Sequence, residues 1–252
     1  MKFKLFTKSH NSALLNKTDK SQRFTADEHS SIIEQEFSVV LCSKKSVVRE
    51  FLSKEGSKLI ALDYLIRFVY RHNAKKILSL GAGPCVIEYF LRQALPEDSV
   101  VVAIDFNKFY IDNAKRFFPD IVATEFDFFK DDVRTICDTP TSSYDVAIFI
   151  NSSYVMDDDE HIRILSQLKE NNVKIIIDMT STLIPYHKLP LFILYEIKLK
   201  CFAPHLDRGK FHGFMRTKQD FRNIYKNAGW TLKEETAVGS YNYVAILENN
   251  SA

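Results

Sequence analysis

The stretch Ile77-Leu-Ser-Leu-Gly-Ala-Gly-Pro-Cys85, followed by Val100-Val-Val-Ala-Ile-Asp105, decides the fold. An apolar run stops at Gly81-Ala82-Gly83, where the backbone must turn tightly. Glycine has no Cβ, so a ligand can approach the chain closely there. Pro84 suits the first turn of a helix, because its missing N–H would have no intrahelical partner. Val86, Ile87, Phe90 and Leu91 then recur at helical spacing. A second apolar run ends in Asp105, roughly twenty residues beyond the glycines, the distance expected for a carboxylate that grips a ribose. Strand, glycine turn, helix, strand and acid follow one another in an order suited to a nucleoside.

Outward from this unit, strands and helices alternate. Residues 76–80, 100–104, 121–126, 144–150 and 173–177 read as strands, and residues 84–94, 108–118 and about 158–169 as the helices between them. Short, apolar, β-branched strands separated by helices imply a parallel sheet covered on both faces. The end of the chain breaks this rhythm. Residues 217–228 read as a helix, and residues 230–238 and 241–247 as two strands joined at Gly239-Ser240. So short a connection forces an antiparallel hairpin.

Upstream, residues 31–71 carry helical patterning. Ile32, Ile33, Phe37, Val40 and Leu41 share one stripe, Val47, Val48, Phe51 and Leu52 a second, and residues 59–70 a third helix after a stop or turn at Gly56. Residues 1 to about 30 are polar and rich in Lys, Ser and Thr, and are expected to be loose at the start. The fold class expected is α/β: a Rossmann-like, mostly parallel seven-stranded sheet with a C-terminal antiparallel hairpin strand, plus an N-terminal helical cap. Residues 1–72 form the tail and cap in this division, and residues 73–252 the main domain, with a lid-like insertion at about 183–216.

Composition narrows the function classes. Among 252 residues, Lys+Arg of 34 against Asp+Glu of 32 gives a net charge of +2, a balance that does not point to nucleic acid. The four cysteines, Cys42, Cys85, Cys137 and Cys201, are scattered without a Cys-x-x-Cys pair, so neither zinc nor a disulfide framework is indicated. The N-terminus lacks the apolar core of a secretory signal. No window approaches the roughly 18 apolar residues of a membrane span. A reducing cytoplasm is the expected setting.

With these residues in place, the sequence from about Lys75 to Glu248 resembles the class I S-adenosylmethionine-dependent methyltransferases. The resemblance rests on Gly81-Ala82-Gly83 after strand one, Asp105 ending strand two, and Asp127 in Glu125-Phe-Asp-Phe-Phe129 after strand three. It rests also on Tyr144-Asp-Val-Ala-Ile-Phe-Ile150 and on Ala228-Gly229-Trp230 before the reversed hairpin. Two positions depart from the pattern. Ser79 stands where family members usually have an acid, and Cys85 where they often have a third glycine.

The resemblance implies S-adenosyl-L-methionine as cofactor and assigns roles residue by residue. Gly81, Ala82 and Gly83 form the turn, and Asp105 accepts hydrogen bonds from both ribose hydroxyls. Phe106 lies against the adenine. Asp127 meets the adenine amino group, with the Phe128 backbone N–H near the ring. Asn151, in Asn151-Ser-Ser-Tyr154 after strand four, joins the cofactor set and can accept a hydrogen bond from a substrate amine or hydroxyl. Tyr154 can wall the site.

Other residues invite chemistry and are weighed against plainer roles. The acids Asp157, Asp158, Asp159 and Glu160 fit a helix start, where they complement the positive dipole end, and no metal is expected. Residues 183–216 carry Tyr186, His187, Lys188, Lys198, Lys200, His205, Arg208, Lys210, His212 and Arg216, opposed by Glu196 and Asp207. A basic lid favours a substrate with phosphate or carboxylate; a solvated amphipathic helix is the plain alternative. His187 and His212 are the candidates for a general base. Cys85 at a helix start can be an activated thiol or simply packed.

The expected function is therefore methyl transfer from S-adenosylmethionine to an oxygen or nitrogen of a small molecule. The alternatives are a non-catalytic, methyltransferase-like binding protein and an NAD(P)-dependent oxidoreductase on a related fold. The sequence sets no oligomeric state.

Overall fold

Runs of β-branched and aliphatic residues build the centre of the molecule, because they pack well on a pleated surface buried on both sides. The computed structural model describes residues 2–6, 12–14, 42–54, 56–137, 143–202 and 211–250. Its elements begin with β1 (Lys2–Phe6), β2 (Ser12–Leu14), α1 (Lys44–Lys54) and α2 (Gly56–Arg71). There follow β3 (Lys76–Leu80), α3 (Val86–Ala94), β4 (Val100–Asp105), α4 (Lys108–Phe117), β5 (Val122–Glu125), α5 (Arg134–Cys137) and β6 (Val146–Ile150). The chain continues through α6 (Asp158–Glu170), β7 (Ile175–Thr180), α7 (Leu189–Phe202), β8 (Phe211–Arg216), α8 (Lys218–Asn227), β9 (Thr231–Val238) and β10 (Tyr241–Glu248).

Seven strands form one sheet in the order β5-β4-β3-β6-β7-β10-β9. β5, β4, β3, β6 and β7 run parallel, and β10 lies antiparallel to both β7 and β9. This is the expected sheet with its reversed terminal hairpin. From β3 the chain moves outward through β4 and β5, then returns to β6 on the other side of β3. Such a reversal of strand order opens a crevice at the carboxyl ends of the strands.

The period of two sends alternate residues to opposite faces. Ile77, Ala103, Ile148, Ile177 and Met179 meet one layer, with Leu65 of α2, Leu91 of α3 and Ile111 of α4. Leu78, Ile104, Phe149 and Ile176 meet the other, with Leu165 of α6 and Phe221 of α8. The acids at the start of α6 close a capping box. Asp157 accepts the Glu160 N–H at 2.9 Å, and Glu160 accepts the Asp157 N–H at 2.7 Å.

The start of the chain differs from expectation. β1 pairs antiparallel with β2 and with β8, making a second sheet in the order β2-β1-β8. Lys2-Phe-Lys-Leu-Phe6 alternates polar and apolar residues, the pattern of a half-buried strand, which an average over a long polar stretch conceals. Phe3 is fully buried, its ring 5.7 Å from that of Phe192 in α7. Val47 and Phe51 of α1 and Leu62 and Leu65 of α2 pack on the first face of the large sheet. Gly56, read as a stop or turn, opens α2. Ile32, Ile33, Phe37, Val40 and Leu41 lie outside the described residues, as do His205, Arg208 and Lys210.

The insertion contains α7 and β8. α7 exposes Leu191, Leu194, Ile197 and Phe202, so its surface is more apolar than the basic residues of the insertion suggest. Among the described residues, no helix is long and apolar enough to cross a membrane.

Candidate active site

β3 ends at Leu80 and the chain leaves the sheet through Gly81-Ala82-Gly83. Gly81 (φ 72°) and Gly83 (φ 57°) lie in the left-handed region, which glycine adopts without a steric penalty. The Gly81 and Ala82 N–H groups donate to Ile104 O at 2.8 and 3.0 Å, tying the turn to the end of β4. A Cβ on Gly81 would stand 2.4 Å from Ser152 Cβ, whereas beside Gly83 the space is open. The first glycine makes room for the loop after β6, and the second leaves one side of the turn uncovered.

That uncovered side is a cleft of about 240 Å³. Gly81, Ala82, Gly83 and Pro84 form one wall, with Val86, Ile87 and Glu88 of α3 beside them. Ile150 and Asn151 at the end of β6, Tyr241 of β10, Phe51 of α1 and Lys58 of α2 complete the lining.

Asp105 sits beneath the turn rather than on the cleft surface. Its Oδ2 accepts the Gly83 N–H at 2.8 Å and its Oδ1 the Asn107 N–H at 2.9 Å. Burial pushes its pKa up to about 6, against these two backbone hydrogen bonds. Each carboxylate oxygen still has a lone pair for a second donor. Phe106 follows, half-buried, and is not part of the cleft lining. Phe128 is buried, with a ring carbon 3.5 Å from where a Gly81 Cβ would stand, so its ring props the turn from behind. Asp127 faces its own loop. Its Oδ1 accepts the Phe129 N–H at 2.9 Å, and Lys130 Nζ lies 3.1 Å from Oδ2.

Asn151 has φ 51°, a conformation that asparagine tolerates better than most residues. Its Oδ1 accepts the Ser181 N–H at 2.8 Å and the Ser181 hydroxyl at 3.0 Å, which fixes the loop after β7 beside the cleft. Tyr154 is placed elsewhere. It wedges against β8, where a Cβ on Gly213 would stand 2.2 Å from its Cδ2. His187 is exposed on the short turn Tyr186–Lys188, and the side chain of His212 lies outside the described residues. The structure thus gathers Gly81, Ala82, Gly83 and Asn151 at the cleft, with Asp105 and Phe128 packed behind the turn. Tyr154, His187 and Asp127 stand apart.

Cys85 (φ 57°) is a non-glycine residue in the left-handed region, at the position where a third glycine is usual. It is fully buried and its thiol donates to Gly83 O at 3.4 Å. Burial raises its pKa well above the ordinary thiol value, which keeps it protonated and packed.

Sequence reasoning passed over Glu88. Ser79 Oγ donates to Glu88 Oε1 at 2.6 Å, and Glu88 Oε2 has no hydrogen-bond partner, although the residue is 2% exposed. Burial pushes its pKa up to about 7, opposed first by the Ser79 hydrogen bond. A signal was available: Glu88 is the one acid on an otherwise apolar helix face, one turn beyond the glycines. A second buried carboxylate, Asp178 of β7, is closed off in the core. Its Oδ1 accepts the Ser153 hydroxyl at 2.7 Å and its Oδ2 the Tyr225 hydroxyl at 2.9 Å. Burial raises its pKa to about 6, while nearby His161 is lowered by burial to about 3 and stays neutral.

The fold is that of the class I S-adenosylmethionine-dependent methyltransferases. Human N-acetylserotonin methyltransferase, solved in complex with SAM, aligns at a TM-score of 0.56 and 15% identity, over 91% of this chain and 64% of its own. Magnesium protoporphyrin IX methyltransferase of Synechocystis PCC 6803, with bound SAH, aligns at 0.52 and 16%, over 75% of this chain and 80% of its own. The mitomycin 7-O-methyltransferase MmcR aligns at 0.51 and 15%, over 71% of this chain and 50% of its own. The chain therefore spans half of MmcR and under two thirds of the human enzyme. At these identities the likeness is one of fold. No protein-family model and no curated protein matches the sequence.

Proposed function

We propose that this chain binds S-adenosylmethionine beside Gly81-Ala82-Gly83 and transfers its methyl group to an oxygen or nitrogen of a small molecule. One observation carries the reading: the open side of the glycine turn and the carboxylate of Asp105 are joined directly, Gly83 N–H to Oδ2 at 2.8 Å, at the point where strand order reverses. The residues fit the group. Gly83 offers open space, and both Asp105 oxygens keep lone pairs for ribose hydroxyls. Phe106, Phe128 and Asp127, the residues expected at the adenine, lie outside the cleft lining and are not part of this fit. Asn151 closes the opposite wall.

The cofactor, when bound, supplies an electrophilic methyl on a sulfonium. The chain's own residues orient and enclose. Alignment of two reactants can supply on the order of 7–11 kcal/mol in favourable systems, so little covalent chemistry is asked of the protein. Phe51 and Lys58 bring α1 and α2 to the cleft, which supports a cap role for this part of residues 1–72; among the described residues of 183–216, none lines the cleft. Lys58 suits an acceptor bearing phosphate or carboxylate. Among the described residues that line the cleft, none is a histidine.

Calorimetric titration with S-adenosylhomocysteine and with NADH tests this reading. Saturable binding of the first and none of the second is expected; the opposite result would transfer the cleft to a nicotinamide. The exposed position of His187 and the packing of Tyr154 on Gly213 favour a second reading, a binding protein without turnover. Cofactor binding with no methyl transfer across a screen of amine and anionic metabolites would support it.

A further inference from the structure

A buried carboxylate in a fold is normally satisfied at both oxygens, or else it is waiting for something. Glu88 is satisfied at one. Ser79, reaching across from β3, holds Oε1 at 2.6 Å and so fixes the rotamer. Oε2 has no partner, and the residue lines the cleft within one helical turn of Gly83. A hydroxyl or amide ligand could meet Oε2, but a cation meets it better. A charge-assisted hydrogen bond is about twice as strong as a neutral one, and a cation also offsets the cost of burying the ionised form.

We propose that Glu88, positioned by Ser79, is the acceptor for a ligand ammonium group, and that it makes the cleft select a nucleoside carrying a primary amine over the same nucleoside without one. This rests on the nucleoside reading of the cleft and adds its charge preference. The methionine part of S-adenosylmethionine carries such an amine. Burial and then Asp105 on β4 favour the protonated form of Glu88, Lys58 on α2 opposes them, and the neutral Cys85 thiol at the helix start and Tyr241 of β10 lie on the same side. Ammonium binding should convert Glu88 to the carboxylate and release its proton to the buffer.

The test compares S-adenosylhomocysteine with 5′-methylthioadenosine, which has the same nucleoside and thioether but lacks the ammonium and carboxylate of the amino-acid end; proton release and the response to E88Q assign the difference to the ammonium. Calorimetry at neutral pH, in buffers of different ionisation enthalpy, reads affinity and proton release together. Wild type is expected to bind S-adenosylhomocysteine more tightly and to release protons beyond those released with methylthioadenosine. E88Q should lose about 30-fold in affinity for the first and change by less than about threefold for the second, as for truncating one partner of a buried charge pair. Ser79→Ala should reproduce part of the loss. Equal effects of E88Q on both ligands, or none on either, overturn the role of Glu88 and leave the nucleoside site standing. Binding of neither ligand by wild type overturns both. Should E88Q fail to fold, the wild-type pair decides: equal affinity and equal proton release for the two ligands sink the proposal.

Discussion

Glu88 and Asp178 are both carboxylates buried against the large sheet, one on each face, and the structure treats them oppositely. Asp178 lies among packed side chains and gives an oxygen to each of two hydroxyls, from Ser153 and Tyr225. Glu88 lies at the edge of a cleft and leaves one oxygen without a partner. Burial raises the pKa of both. A raised pKa therefore does not separate a structural acid from a ligand-binding one. An incomplete set of hydrogen bonds at a cleft wall does, because a ligand entering there can offset the cost of the unsatisfied oxygen.

The largest effect should come from the closed side. Asp178→Ala strands the Ser153 and Tyr225 hydroxyls in the core and should lower unfolding free energy by about 3 kcal/mol, with S-adenosylhomocysteine affinity nearly unchanged in protein that remains folded. Denaturant melts of D178A and E88Q side by side check it: E88Q should cost less than about 1 kcal/mol. Equal losses would erase the distinction between the two acids.

Next comes the turn that separates cleft from core. Gly81→Ala forces a Cβ to 2.4 Å from Ser152 Cβ at φ 72°. A loss of about 2 kcal/mol in stability is expected, together with loss of measurable nucleoside binding. Retained affinity in a calorimetric titration would show that the turn does not shape the site.

Asp105→Ala sharpens the comparison within the cleft. It should weaken S-adenosylhomocysteine and methylthioadenosine alike, each by about tenfold, since charge-assisted hydrogen bonds contribute about 1.5–3 kcal/mol. A loss confined to the ligand with the ammonium would move the amine from Glu88 to Asp105.

The smallest effect is a pH dependence. The pKa of Glu88 is about 7 in the fold against an ordinary 4.5, so the folded state binds its proton first. Its contribution is complete below pH 4.5 and is lost as pH rises through 7. His161, lowered to about 3, acts in the other sense and weakens the fold as pH falls below its ordinary 6.5. Between pH 8 and 6, wild type should gain about 1 kcal/mol relative to E88Q, read from urea melts at each pH. Parallel curves would mean that Glu88 does not titrate there.

Much of this was legible along the chain. The end of β3 follows from where an apolar run meets glycine, and the reversed hairpin follows from a connection too short to cross over. Gly81, Ala82, Gly83 and Asn151 are legible from the glycine turn and the end of strand four, and they form part of the cleft wall. What escaped was of two kinds. The pairing of β1 with β8 joins residues about two hundred positions apart, and no local period announces such a partner. Phe51, Lys58 and Tyr241 reach the cleft from elements whose own patterns speak only of burial.

The sequence by itself determined the order of strands and helices, the place of the tight turn and the reversal at the end, because these depend on local periodicity, on residues without a Cβ and on connection length. Tertiary structure alone decided which carboxylates are satisfied at both oxygens and which keep one oxygen without a partner. An apolar helix face marks Glu88 as buried and an apolar strand marks Asp178; the neighbours that complete one and not the other come from elsewhere in the chain, and only packing brings them there.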